Sequence, residues 1–184
     1  MKVLVIGGSK GIGKELVQHF NGKSVSRQTG HNIQHPANRN TICQLSLDFD
    51  VVVNHAFCGD NSQNFMLKDL VDNWNHNNKD GYIFHTGTIS TYFTKHDWNM
   101  YAVYKAQGDE IAKRAAKKCQ HGAYPFRLTN IRPGMLDTEK SRNKQHWPGS
   151  GVKNTTYVNI IEYLYNLPSD VIIPELILET RVPT

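Results

Sequence analysis

The sequence lacks any hydrophobic segment long enough to cross a membrane. Its apolar stretches, such as Val3–Ile6 and Val51–Val53, fall far short of the ~20 residues that a membrane-spanning helix needs. The amino-terminal stretch MKVLVIGGSKGIG runs from four apolar residues straight into glycines, so we expect no secretory signal there. With 39% apolar and 20% charged residues, the composition is typical of a soluble globular domain with no membrane partner.

The sequence also has few cysteines, and they form no recognisable pattern. Cys43, Cys58 and Cys119 lie far apart, with no Cys-x-x-Cys pair and no Cys/His cluster at zinc spacing. The nine histidines likewise form no metal-ligand pattern. We therefore expect a reducing compartment, a cytoplasmic location and no bound metal.

Acidic residues are fewer than basic ones, which gives a net charge of +5 and a pI of about 9.1. Such a balance is compatible with a nucleic-acid partner, an anionic cofactor or plain solubility. The basic run Lys113–Lys118 ends a predicted helix, where cations complement the helix dipole. Because no aromatic interleaving or nucleic-acid-reading motif is visible, we expect no nucleic-acid partner.

Alternating strand and helix patterns predict one α/β domain over residues 1–184, with a doubly wound parallel sheet between two helical layers. Strands are predicted at Lys2–Ile6, Lys23–Ser26, Thr41–Leu47, Asp50–His55, Tyr82–Thr86, Phe126–Ile131 and Val171–Leu178. Helices are predicted from Gly11 to Phe20 and at Asn64–Asn75, Met100–Cys119 and Thr156–Leu167. Residues 28–40 are polar and rich in turn formers, so a loop is predicted there.

A glycine-rich turn, GGSKGIG at residues 7–13, joins the first strand to the first helix. Glycines allow positive φ and let the backbone approach a pyrophosphate, while the helix start offers free N–H groups and a positive dipole end. A tight turn without a ligand is the alternative. Since no Lys-Ser or Lys-Thr follows the glycines, the pattern disfavours a P-loop nucleotidase.

The residues after the second strand bear on the choice of nucleotide. An NAD site would place Asp or Glu there, whereas this chain has Ser26 and Arg27. A guanidinium pairs with phosphate, and Lys10 in the glycine turn adds a second cation. The pattern favours NADP(H) over NAD(H), the alternative being that Arg27 is a solvated loop residue.

Tyr101 and Lys105 are four residues apart on the predicted long helix, so their side chains share a face. A nearby ammonium lowers the pKa of a phenol and makes it a general acid/base near neutral pH. The alternative is a surface lysine beside a packed tyrosine.

Five segments taken in order carry a family resemblance: GGSKGIG, VVVNHA, YIFHTGT, YAVYK and RPGMLDT. Together they resemble the short-chain dehydrogenase/reductase family over most of residues 1–138. The resemblance implies a Rossmann-like fold with trimmed helices and an NADP(H)-dependent oxidoreductase. Such an enzyme transfers a hydride between nicotinamide and a small-molecule carbonyl or alcohol.

The resemblance also assigns roles to residues. Tyr101 would exchange a proton with the substrate oxygen, Lys105 would hold the nicotinamide ribose, and Thr88, or else Ser90, would orient that oxygen. With Arg27 added, the expected cofactor-binding residues are Gly7, Ser9, Lys10, Gly11, Ile12, Gly13, Arg27, Asn54, Ala56, Tyr101, Lys105, Pro133, Gly134 and Thr138.

The chain departs from the family pattern in its middle. The family's Asn-Asn-Ala-Gly signature reads Asn54-His55-Ala56-Phe57, and Gln44 stands where an acidic residue often holds adenine. The family's structural asparagine is either Asn61 or Asn64. The resemblance further implies a substrate loop over residues 138–154 and a homodimer or homotetramer formed through residues 100–119.

Two other functions on this fold stay open. The shortened middle segment is compatible with a non-catalytic NADP-binding sensor or regulatory protein. An epimerase or dehydratase that uses transient oxidation would need the same Tyr101 and Lys105.

Overall fold

The computed structural model describes residues 1–92, 100–143 and 149–180. Within these ranges, six strands form one sheet: β1 (Val3–Ile6), β2 (Lys23–Val25), β3 (Val51–Asn54), β4 (Tyr82–Thr86), β5 (Arg127–Pro133) and β6 (Glu175–Leu178). Their order across the sheet is β2-β1-β3-β4-β5-β6, and every neighbouring pair is parallel. The doubly wound parallel sheet predicted from the sequence is confirmed.

The described part of the chain also contains six helices: α1 (Gly11–His19), α2 (Pro36–Ser46), α3 (Ser62–His76), α4 (Met100–Gln120), α5 (Glu139–Arg142) and α6 (Asn154–Tyr165). Short 3-10 turns occupy Arg27–Thr29 and Ile89–Tyr92. No helix in the described ranges combines the length and apolar character that crossing a bilayer requires.

The two helical layers follow from the alternation of side chains along each strand. In β1, Val3 and Val5 pack with α1 and α6, whereas Leu4 and Ile6 pack with α2, α3 and α4. All four of these side chains are buried, as are those of the central strand β3. Both faces of the sheet are therefore covered, which is why its strands read as continuous apolar runs.

One predicted strand is wrong. Residues 41–46 of the predicted strand Thr41–Leu47 belong to helix α2, which begins at Pro36 inside the segment predicted as a loop, and Leu47 is the C-cap residue of that helix. Proline is favoured at the first helical position, and Ile42, Cys43 and Ser46 point together into the core. The short apolar run was compatible with either structure by periodicity alone.

The carboxyl-terminal part also differs in detail. Only Glu175–Leu178 of the predicted last strand pairs with β5, at the edge of the sheet. The expected substrate loop contains the short helix α5 and a bridge between Leu136 and Val152. Its positions 144–148 lie outside the described residues.

Strand order fixes where a ligand can bind. The chain leaves β1 towards β2 on one side and reaches β3 on the other, so a crevice opens at the carboxyl ends of β1 and β3. In register, Ile6 pairs with both Val25 and Asn54, and Asn54 pairs with His85. The segments that follow these residues therefore meet along one rim of the sheet.

Candidate cofactor and active site

The glycine turn after β1 packs directly against the segment after β3. Gly7 has a φ of +97°, and a Cβ there would lie 2.8 Å from the backbone N and Cα of Ala56. A Cβ on Gly13 would lie 2.3 Å from the carbonyl oxygen of Gly7. The turn can form only with glycine at these positions, which leaves its backbone bare at the crevice.

Helix α1 begins at this turn without a side-chain cap. Lys10 occupies the N-cap position and makes no capping hydrogen bond, and both Lys10 and Gly11 are exposed. Thr138 lies across from them, with its Cγ2 4.0 Å from a Cβ built on Gly11. Uncapped N–H groups, a positive dipole end and a lysine fit a diphosphate, and the predicted cofactor residues Ser9, Gly11 and Ile12 would hold it.

Arg27 lies at the same rim, directly after β2. It begins the 3-10 turn Arg27–Thr29, and its side chain is exposed. The turn is held to β2 because the Ser26 N–H donates to Thr29 Oγ1 at 2.8 Å. The guanidinium is thus near the end of β2, where the ribose phosphate of the adenosine half is expected.

The other predicted cofactor residues differ in what they contact. Asn54 is fully buried, and its Nδ2 donates to the carbonyl oxygen of Gln63 at 3.0 Å, so its amide faces α3. Pro133 ends β5, and the Gly134 N–H donates to the carbonyl oxygen of Leu178 at 2.7 Å.

Thr88 and Tyr101 meet although they come from different elements. Thr88 follows β4 and is 5% exposed, whereas Tyr101 lies in the first turn of α4 and is 37% exposed. Their side chains share a hydrogen bond. Ser90 lies next to them, since Thr88 Oγ1 donates to Ser90 Oγ and accepts from the Ser90 N–H, both at 3.2 Å.

The pKa of Tyr101 is raised by burial, which outweighs the lowering effect of the hydrogen bond with Thr88. The expectation that Lys105 lowers this pKa is therefore wrong in this structure. The Lys105 ammonium lies 5.9 Å from the centre of the Tyr101 ring and bonds elsewhere.

Lys105 is buried one turn beyond Tyr101, with 4% of its surface exposed. Its Nζ donates to Gln63 Oε1 at 2.8 Å and to the Thr86 carbonyl oxygen at 2.7 Å. Burial lowers the pKa of this ammonium to about 8, although the Asp109 carboxylate one turn further along acts in the opposite direction.

Gln63 is a site residue that the sequence did not reveal. It is 1% exposed, and its Nε2 donates to the carbonyl oxygens of Asn54 at 3.0 Å and Thr86 at 3.3 Å. Because those carbonyls only accept, the amide is oriented with Oε1 towards Lys105. The predicted candidates, Asn61 and Asn64, instead bond to each other, and Asn64 Nδ2 donates to the Tyr104 carbonyl oxygen.

Two histidines lie near Lys105, of which His85 is fully buried and His55 is half-buried. His55 Nδ1 lies 3.2 Å from Thr86 Oγ1, and His85 Nδ1 lies 3.3 Å from Asn54 Nδ2. Burial, followed by the charge of Lys105, lowers the pKa of His55 to about 4 and that of His85 to about 3. Both rings are therefore neutral at pH 7.

A buried ion pair holds the backbone at Thr88 in place. Arg132 Nε lies 3.4 Å from Asp109 Oδ2 and donates to the Thr88 carbonyl oxygen at 3.2 Å. Its terminal nitrogens bond to Thr91, to the Tyr92 hydroxyl and to Glu175. Since Asp109 lies on α4, this cluster joins Thr88 to the helix that carries Tyr101 and Lys105.

Within the described ranges, no three His, Cys, Asp or Glu side chains are grouped so as to hold a metal ion. No protein-family model and no curated protein sequence matches the chain.

Solved structures resemble the chain over almost its whole length. The 3-ketoacyl-(acyl-carrier-protein) reductase from Brucella melitensis, complexed with NADH, superposes with a TM-score of 0.76 at 15% identity, covering 96% of this chain and 95% of that one. A serine dehydrogenase complexed with NADP+ gives a TM-score of 0.74 at 14% identity, covering 98% and 95%. A short chain dehydrogenase/reductase family protein gives 0.75 at 13% identity, covering 97% and 95%.

These likenesses establish the fold. The chain has the Rossmann-like α/β fold of the short-chain dehydrogenase/reductase structures, as its sequence motifs predict.

Proposed function

We propose that this protein is an NADP(H)-dependent oxidoreductase that transfers a hydride between nicotinamide and a small carbonyl or alcohol substrate. The observation that carries the proposal is the meeting of Thr88 and Tyr101 through a side-chain hydrogen bond, with Lys105 one helical turn further along. In the proposed mechanism the Thr88 hydroxyl orients the substrate oxygen and the Tyr101 phenol beside it donates the proton. Both lie at the rim to which the glycine turn opens.

In the reducing direction, the bound cofactor supplies the hydride to the carbonyl carbon. The Thr88 hydroxyl orients the substrate oxygen, and the Tyr101 hydroxyl gives that oxygen its proton. The raised pKa keeps Tyr101 protonated at neutral pH, which is the form a proton donor needs. Because Tyr101 is partly exposed, its phenolate regains a proton from water after each turnover.

Replacing Tyr101 by Phe tests this assignment. We expect the variant to keep its cofactor affinity and lose about 10²- to 10⁴-fold in turnover, because the ring remains while the proton donor is removed. The measurement is NADPH oxidation with a panel of carbonyl compounds, beside fluorescence titration of NADPH. Tyr163→Phe is the matched control, since Tyr163 is 64% exposed on α6. Unchanged turnover in Tyr101→Phe would remove Tyr101 from the mechanism.

The preference for NADP(H) is part of the proposal. It is supported by two exposed cations at the rim, Lys10 at the start of α1 and Arg27 after β2. A guanidinium bonds to a phosphate monoester in two places at once, whereas it interacts much more weakly with a ribose hydroxyl.

Titration of NADPH and NADH against the wild type and Arg27→Ala tests the preference. We expect the substitution to weaken NADPH binding about tenfold and to leave NADH binding nearly unchanged, since one charge-assisted contact is lost. Arg114→Ala, on the exposed face of α4, controls for the change in net charge. Equal affinities of the wild type for the two dinucleotides would remove the argument from Lys10 and Arg27.

A non-catalytic NADP-binding protein is the second candidate. The observation in its favour is that Lys105 is buried and that two of its three ammonium donors are already bonded to protein groups in this structure. Binding of NADPH without oxidation across the carbonyl panel would support this alternative.

A further inference from the structure

The ring of Phe57 contacts both Lys105 and Tyr101. Its ring centre lies 5.2 Å from Lys105 Nζ, within the range of a cation–π contact. The same ring meets the ring of Tyr101 edge to face, at 5.0 Å between centres and 87° between planes. The phenyl group thus contacts both side chains of the pair.

The hydrogen-bonding capacity of Lys105 shows what this contact means. An ammonium has three donors, and two of them are directed to Gln63 Oε1 and to the Thr86 carbonyl oxygen. The third has the rings of Phe57 and Tyr101 beside it. This third donor is the one left for a ribose hydroxyl, and the Phe57 ring lies beside it.

The backbone around Phe57 is fixed on both sides. The Ala56 N–H donates to the Ile6 carbonyl oxygen at 2.8 Å, and the Ser62 N–H donates to the Asp60 carboxylate at 2.9 Å. Between these anchors Gly59 has a φ of +83° and open space around it. Phe57 itself is half-buried, so its ring can turn outward without disturbing β3 or α3.

We propose that Phe57 sets the affinity of this site for the nicotinamide half of the cofactor. Its ring shields the Lys105 ammonium in the free protein, occupies the place of the nicotinamide ribose, and turns away when the dinucleotide binds. This inference rests on the proposed function, in which Lys105 holds that ribose. Binding must first break the contacts of Phe57 with Lys105 and Tyr101, so those contacts weaken affinity.

Phe57→Ala removes these contacts and tests the inference by binding alone. The wild type and the variant are titrated with NADPH by fluorescence, and with adenosine 2′,5′-bisphosphate by calorimetry. The second ligand carries the adenosine half and lacks the nicotinamide ribose. We expect the variant to bind NADPH about five- to tenfold more tightly and the bisphosphate with unchanged affinity.

A matched control is available on α3. Phe65 is 48% exposed and has its own cation–π contact, with Arg39 at 5.4 Å, away from Lys105. Phe65→Ala should leave the affinities for both ligands unchanged. Phe57→Leu, which keeps the apolar bulk but has no ring face, should tighten NADPH binding about two- to threefold, and it decides the matter where the alanine variant does not fold.

The outcomes separate the two proposals. Unchanged or weaker NADPH binding in the Phe57 variants, with bisphosphate binding preserved, overturns the inference and leaves the proposed function standing. If the wild type and the variants bind neither ligand and no NADH, the proposed function fails and takes the inference with it.

Discussion

At the scale of single residues, His55 and His85 make the stability of the protein depend on pH. The pKa values of His55 and His85 are lowered to about 4 and about 3 because burial and Lys105 disfavour their charged forms. In the unfolded chain both titrate near 6.5. Between these values the unfolded state binds more protons, so the folded state loses stability as the pH falls.

We therefore predict that the free energy of unfolding decreases from pH 6.5 down to about pH 4. Each histidine contributes a slope of roughly 1.4 kcal/mol per pH unit within its own window. Urea denaturation at pH 7, 6 and 5 measures this slope. His55→Asn keeps a hydrogen-bonding group beside Thr86 and should flatten the slope, whereas His121→Asn, at an exposed turn, should not. Equal unfolding free energies at pH 5 and pH 7 would contradict the prediction.

The shared helix face of Tyr101 and Lys105 could be predicted from the sequence, but the groups around these two residues could not. The i, i+4 spacing of Tyr101 and Lys105 is enough by itself to place both on one face of a helix. The role of Gln63 depends on two strand carbonyls, at Asn54 and Thr86, that are far apart in the chain and fix the direction of its amide. No local pattern carries that information, so the sequence pointed to the neighbouring asparagines instead.

At the scale of elements, the buried Arg132–Asp109 pair joins β5 to α4 and holds the segment after β4 between them. Both side chains are nearly inaccessible, with 7% and 12% of their surface exposed. Asn130 Nδ2 also donates to Asp109 Oδ1 at 2.8 Å. Removing only one partner of such a pair leaves a buried charge uncompensated.

We predict that Arg132→Met lowers the free energy of unfolding by about 3–5 kcal/mol, because Asp109 remains in the interior. The double variant Arg132→Met, Asp109→Asn should recover part of that loss, since the uncompensated charge is gone. Chemical denaturation of the three proteins measures both effects. Arg114→Met, which breaks an exposed pair with Glu110, serves as the control and should unfold like the wild type. A double variant less stable than Arg132→Met would refute this account.

The sequence predicted some helices and strands correctly and one strand wrongly. Helix α4 is confirmed almost to the residue, because its small apolar residues recur at helical spacing over more than five turns. Thr41–Leu47 was predicted as a strand because a brief apolar run has no decisive period. The signal for helix α2 was Pro36, which lies at its first position.

For the whole molecule, the expected homodimer or homotetramer remains a prediction, but the residues of α4 that could form its interface differ from those expected. The small residues of α4 on which that expectation relied are buried within the protein: Ala102, Gly108, Ala112, Ala115 and Ala116. In the second half of this helix the exposed residues are charged apart from Gln120: Glu110, Lys113, Arg114, Lys117 and Lys118. An interface through that half of α4 would therefore be polar.

We predict that light scattering finds at least twice the chain mass of 20.9 kDa at low ionic strength. Raising the salt concentration should shift the protein towards the monomer, because salt screens ion pairs between copies. The same measurement at about 0.1 M and about 1 M sodium chloride tests both statements. A species of one chain mass under both conditions would exclude the oligomer.

The order of the strands separates the rim that carries the glycine turn from the opposite rim at the amino ends of the strands. The turns at the amino ends of β2, β4 and β5 lie about 13 Å away from the glycine turn, Thr88 and Tyr101, across the length of a four-residue strand. His121 and Gly122 are exposed on that far rim, and Gly122 has open space around it. A fluorophore or affinity handle attached there would anchor the protein to a surface with its crevice facing the solution.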